Sequence, residues 1–241
     1  MATLTPPIAV DEREPRLGER GSGRPPQGGG GERDTSLADF RRRLRRYRIG
    51  LMAGLTPVLM LFVAFTSAYI VRQNLGTWDD ATKGYVLDWR ALTLPSLLWL
   101  NTMLLLASSV TLELARRSLT AQYAAESRFL VPARAARSPW LTLTLVLGSA
   151  FLLGQWLAWR ALEAQGVYIA TNPSSSFFYL LTGTHAVHLL GGVLALAYAA
   201  VIALGSGSLA RRAIVVDVTS WYWHFMALLW VYIFALLHVM R

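Results

Sequence analysis

The sequence predicts an all-α integral membrane protein built as a bundle of five transmembrane helices, and three observations carry that reading. Five apolar runs each approach the roughly 20 residues that a helix needs to cross the hydrocarbon core. Hydrophobic residues make up 54% of the 241-residue chain and charged residues only 15%, too few to cover a soluble globule of this size. The arginines sit mostly before the runs and in alternate loops between them, as topology signals do.

Taken in order, residues 1–40 read as a disordered cytoplasmic tail. Gly, Pro, Arg and acidic residues dominate MATLTPPIAVDEREPRLGERGSGRPPQGGGGERDTS, and nothing in it can support a core. It lacks the apolar stretch of a secretory signal, so no cleavage is expected. The transmembrane domain, residues 41–241, begins with RRRLRRYR at 41–48 and has spans expected at about 49–71, 94–114, 140–161, 177–204 and 218–240. Pro95 and Pro139 mark the starts of the second and third spans, and Pro173 closes the loop before the fourth. A ring without an N–H fits a first helical turn, where donors are unpaired anyway.

Orientation follows from the arginines. RRRLRRYR carries six, the loop between spans two and three carries Arg116, Arg117, Arg128, Arg134 and Arg137, and the loop between four and five carries Arg211 and Arg212. These three regions lie on one side, and the opposite loops are near neutral. The positive-inside rule then puts the N-terminus in the cytoplasm and, after five crossings, the C-terminus outside. The formal charge of +9 therefore points to an anionic lipid surface and not to nucleic acid. With no cysteine, thiol catalysis, disulfides, zinc-thiolate sites and iron–sulfur clusters are excluded.

The spans also carry signs of an interior. Gly50 and Gly54 form a GxxxG pair, and Gly191, Ala195, Ala199 and Ala203 repeat a small residue every fourth position, which allows close helix approach. Asn101, Ser108, Gln155, His185 and His188 need partners on neighbouring helices. Glu113, Arg160 and Asp217 fall near span ends, where side chains can snorkel, and no carboxylate lies mid-bilayer, which disfavours a stand-alone transporter. His188 lies roughly 17 Å from the outer end of its span, and His224 roughly 9 Å from the opposite end of the fifth. Unmatched depths disfavour metal or haem ligation.

Two segments, SSFFYLLTGTHAVHLLGGVLAL at 175–196 and WYWHFMALLWVYIF at 221–234, resemble the last two helices of subunit III of the haem-copper oxidases, the cytochrome c oxidase subunit III family. MLFVAFTSAYIVRQ at 60–73, NTMLLLASSVTLELA at 101–115 and LGSAFLLGQWLAWRAL at 147–162 agree, in order, so the resemblance covers about residues 48–238. It implies helices three to seven of the family's usual seven, in the inner (plasma) membrane. It also implies a non-catalytic subunit without haem or copper of its own. Both are expected in subunit I, with subunit II alongside, bound phospholipid, and cytochrome c as the donor for reduction of oxygen to water. An accessory subunit of a quinol oxidase or nitric oxide reductase is the alternative.

The resemblance also suggests interfacial roles. Trp221, Tyr222 and Trp223 are expected at headgroup depth, with His224 just inside and Arg211 and Arg212 as phosphate contacts. Three positions depart from the family. Val58 stands where most members have a buried glutamate, Pro57 where serine is usual, and Ala227 where the final helix has an aspartate. No proton role tied to those acids carries over. Pro57 frees the carbonyl of Ala53 and predicts a kink that Thr56 or a neighbouring helix accommodates.

Overall fold

The computed structural model describes residues 31–86, 89, 92–129, 139–205 and 208–239. Residues 1–30 of the expected tail lie outside the described residues, as do Asp88, Arg90, Arg134, Arg137 and Arg241. Five helices follow one another: α1 Gly31–Asn74, α2 Leu97–Phe129, α3 Pro139–Ala164, α4 Pro173–Leu204 and α5 Leu209–Val239. Each is long and apolar enough to cross a membrane. Pro139 and Pro173 are the first residues of their helices, and Asn172 caps α4 by accepting from Ser175 N at 2.8 Å while its own N–H donates to Ser175 Oγ at 3.2 Å. Pro95 accepts from Leu98 N at 3.1 Å in the turn leading into α2.

Both α1 and α2 outrun their apolar cores. Residues 31–40, expected to belong to the disordered tail, are the first ten residues of α1. The correction has a tertiary cause: Phe40 packs on Tyr123 of α2 with ring centroids 4.3 Å apart, so the two polar extensions support each other. Composition alone does not reveal such a pairing. Beyond Asn74 an unforeseen hairpin joins β1 Thr77–Asp79 to β2 Gly84–Val86, with Trp78 opposite Tyr85. Its turn uses Lys83 in the left-handed region and an Asp79 carboxylate that accepts from Ala81 N and Thr82 Oγ1. Those two donors hold the Asp79 carboxyl below its ordinary range. Trp89 returns the chain to the bundle, its ring 5.0 Å from Tyr69 and 6.4 Å from Phe177.

The core lies among α2, α3, α4 and α5, and α5 packs on α1, α2 and α4. The least covered helix is α1, which docks through Leu55, Phe62 and Tyr69 at seven-residue spacing, with Thr66 accepting from Tyr232 Oη at 3.0 Å. Its GxxxG pair faces elsewhere. Outside its own helix backbone, no described atom comes within 4 Å of a Cβ built on Gly50 or Gly54, so among the described residues the expected close approach at that pair does not occur. Close approaches occur instead at Gly154, against Asn101, and at Gly148 and Gly192, where a Cβ would lie 2.6 Å and 3.2 Å from the Trp223 ring. Through Pro57 the helix runs on, and Thr56 Oγ1 donates to Met52 at 2.9 Å and not to the freed Ala53 carbonyl.

Candidate functional site

Four consecutive α5 residues, Trp221 to His224, turn by about 100° each and so address different neighbours. Trp221 is partly exposed, and the Arg48 guanidinium stands over its ring at 5.3 Å. Tyr222 donates from Oη to the His188 carbonyl at 2.8 Å and lays its ring against Gly192. Trp223 is fully buried and donates from Nε1 to Ser108 Oγ at 2.9 Å. His224 Nε2 lies 3.1 Å from Ser220 Oγ and 3.6 Å from Glu113 Oε2. The expected aromatic belt is thus corrected: Trp221 alone faces outward, while Tyr222 and Trp223 lock α5 to α4, α3 and α2. Helical rotation forbids three successive rings from sharing one face.

Around this turn lies an ionic cluster that the sequence reading missed. Asp217, with its side chain only 5% exposed, accepts from Arg48 Nε at 2.8 Å and Nη2 at 2.6 Å, and from Arg116 Nη1 at 3.2 Å. Glu113 accepts from Arg116 Nε and Nη2 at 2.8 and 2.7 Å and from Arg117 Nε at 2.7 Å. The fork on Asp217 is the bidentate geometry that makes arginine–carboxylate pairs strong, and it ties α1, α2 and α5 together. Two carboxylates at span ends, on the side that also carries the arginines, were the available signal.

The arginine pair is split. Arg212 is buried and donates to the Gly205 carbonyl, closing the end of α4, whereas the sequence reading expects it as a phosphate contact. Arg211 donates to Tyr198 Oη at 3.3 Å and lines a groove of about 870 Å³ between α1, α2, α4 and α5. Phe40, Tyr47, Tyr123 and Val215 supply apolar walls, and Arg43 is a second guanidinium there.

The polar residues inside the spans separate into two groups. Ser108 donates to Leu105 and accepts from Trp223, and His188 Nδ1 is 2.8 Å from the Thr184 carbonyl with its ring edge-on to Phe62. Asn101, Gln155 and His185 are fully buried and have no hydrogen-bond partner among the described residues. Val58 packs, partly buried, against the core one turn before Phe62. Among the described residues no group of three or more His, Cys, Asp or Glu converges as a metal site would require.

Comparison with known proteins places this architecture. The model of a family described as Cytochrome c oxidase subunit III matches residues 45–240. A probable cytochrome c oxidase subunit 3 of Mycobacterium leprae is 28% identical over 212 residues, covering 86% of this chain and 94% of the relative. A probable subunit 3 of Nocardia farcinica is 29% identical over 198 residues, with 80% and 87% covered. The cytochrome c oxidase subunit 3 of Bacillus subtilis is 30% identical over 193 residues, with 80% and 85% covered.

Proposed function

The chain belongs to the cytochrome c oxidase subunit III family, and from that membership we propose that it is a non-catalytic subunit that braces subunit I and organises phospholipid around it. As a subunit III it is a multi-pass membrane component of a respiratory oxidoreductase complex. The haem and copper are assigned to subunit I, the donor is cytochrome c, and subunit II completes the complex. The plasma membrane is the location, with the arginine-rich end in the cytoplasm. The observation that carries the reading is the extent of the match, which runs through all five helices in order.

The test is to affinity-purify the chain from its native membrane in mild detergent and record a reduced-minus-oxidised spectrum with subunit masses. Haem bands with a stoichiometric large polytopic subunit are expected, and the haem type separates cytochrome c, quinol and nitric oxide enzymes. A colourless, partnerless bundle would overturn the assignment and bring a transporter forward.

The groove beside Arg211 is the proposed lipid contact, because the guanidiniums of Arg43 and Arg211, one more positive charge than the Asp39 carboxylate there offsets, line it together with apolar walls, as a phosphate with acyl chains requires. Each basic residue near an anionic membrane surface contributes about 1 kcal/mol, so Arg43→Gln with Arg211→Gln is expected to weaken anionic phospholipid retention about thirtyfold. Lipid phosphorus per purified complex, measured across a detergent wash series, checks this. Unchanged retention would remove the groove from the lipid-binding surface.

A further inference from the structure

Three side chains the proposed function does not use lie at one level of the bundle. Asn101 on α2 lies against the α3 backbone so closely that a methyl added at Gly154 would overlap its amide. Gln155 is the next residue of α3. On α4, His185 stacks at a tilt on Trp230 with centroids 5.2 Å apart and meets Phe151, one turn from Gln155, edge-on at 6.2 Å. The level is fixed independently by the pair one turn away, where Trp159 of α3 donates to Thr182 of α4 at 3.2 Å. In adjacent antiparallel helices that register sets Gln155 across from His185.

All three residues are buried, and among the described residues their six side-chain nitrogen and oxygen atoms have no hydrogen-bond partner. Nearby donors are already committed: Trp230 Nε1 to Thr102 at 3.0 Å and Trp159 Nε1 to Thr182. Buried polar atoms are almost always satisfied by protein or by ordered water, and hydrocarbon offers them nothing.

The chemistry of the six atoms selects the ligand. Two amide oxygens accept, two amide NH2 groups donate, and a neutral imidazole provides one donor and one acceptor. A cation would satisfy only the acceptors and an anion only the donors. Water does both. We infer that Asn101, Gln155 and His185 enclose a buried water site at the centre of the bundle. At about three hydrogen bonds per buried water, six orphan atoms accommodate about two molecules. The site is electrically neutral and joins α2, α3 and α4 through solvent, where direct side-chain bonds do not reach.

The test is a cryo-electron microscopy map of the full chain, purified with whatever subunits accompany it, at a resolution that shows ordered water. Expected are peaks within about 2.7–3.2 Å of the two amides and the imidazole. Direct amide–imidazole contacts with no intervening peak would overturn the inference. So would a single peak bound through oxygens alone at about 2.0–2.6 Å, which marks a metal ion. In Gln155→Leu at least one peak is expected to vanish while the Trp159–Thr182 bond stays, and peaks unchanged in that variant would also overturn it. If the variant fails to fold, the unaltered protein's map decides alone. Neither readout depends on the oxidase assignment.

Discussion

Trp223→Ala is expected to lower the stability of the bundle by about 4 kcal/mol, within the range for truncating a fully buried large aromatic. The indole enters from α5 and fills the space made by Gly148 on α3 and Gly192 on α4, while its N–H reaches Ser108 on α2. One side chain thus joins four helices, and its loss leaves a cavity that no single helix can close. Trp223→Phe separates the contributions. It keeps most of the ring volume and removes the bond to Ser108, so about 1–1.5 kcal/mol of the loss is expected to remain. Unfolding midpoints of the purified protein in mild detergent, titrated with a denaturing one, give both values. A loss below about 1 kcal/mol for the alanine variant would show that the site collapses around the missing ring, contrary to this account.

Asp217→Ala is expected to cost about 3 kcal/mol, at the low end for breaking a buried ion pair because Arg48 and Arg116 keep about a third of their side-chain surface exposed. The effect should concentrate on α1, which otherwise meets α5 through apolar contacts, the Arg48 guanidinium over Trp221 and the Tyr232–Thr66 hydrogen bond. The absence of cysteine makes the local readout simple. With Phe40→Cys and Tyr123→Cys replacing the stacked pair, oxidative cross-linking reports whether the α1 and α2 extensions stay together. Cross-linking should slow severalfold when Asp217→Ala is added, and an unchanged rate would sink the idea that Asp217 clasps α1.

The number and order of the apolar helices are legible in the sequence, and direction around each helix is not. The five spans and the proline-led starts of α3 and α4 follow from hydropathy and missing N–H groups, which depend on the local chain alone. Direction is hidden because a membrane helix is apolar on both its lipid and its core faces, so no amphipathic stripe marks the buried side. That is why the sequence suggests an interfacial Trp223 and a packing seam at Gly50 and Gly54, where the structure buries the indole and leaves both glycines open. The Arg48–Asp217 pair joins residues 169 apart, and only the fold brings them together. The Arg212 bond is hidden for a related reason: its acceptor is a loop carbonyl seven residues back, a partner that every residue type offers.

The position of Asp217 and Trp223 on α5 has a consequence for biosynthesis. Synthesis proceeds at about 5–20 residues per second, so roughly 10–30 s separate the emergence of Arg48 from that of the carboxylate it must find 169 residues later. Until α5 is made, Ser108, Thr102 and Thr66 lack the donors that Trp223, Trp230 and Tyr232 supply in the folded chain. A mutation that delays insertion of α5 is therefore expected to prolong the life of an α1–α4 intermediate without these contacts, read as a lower steady-state level of the chain in the membrane.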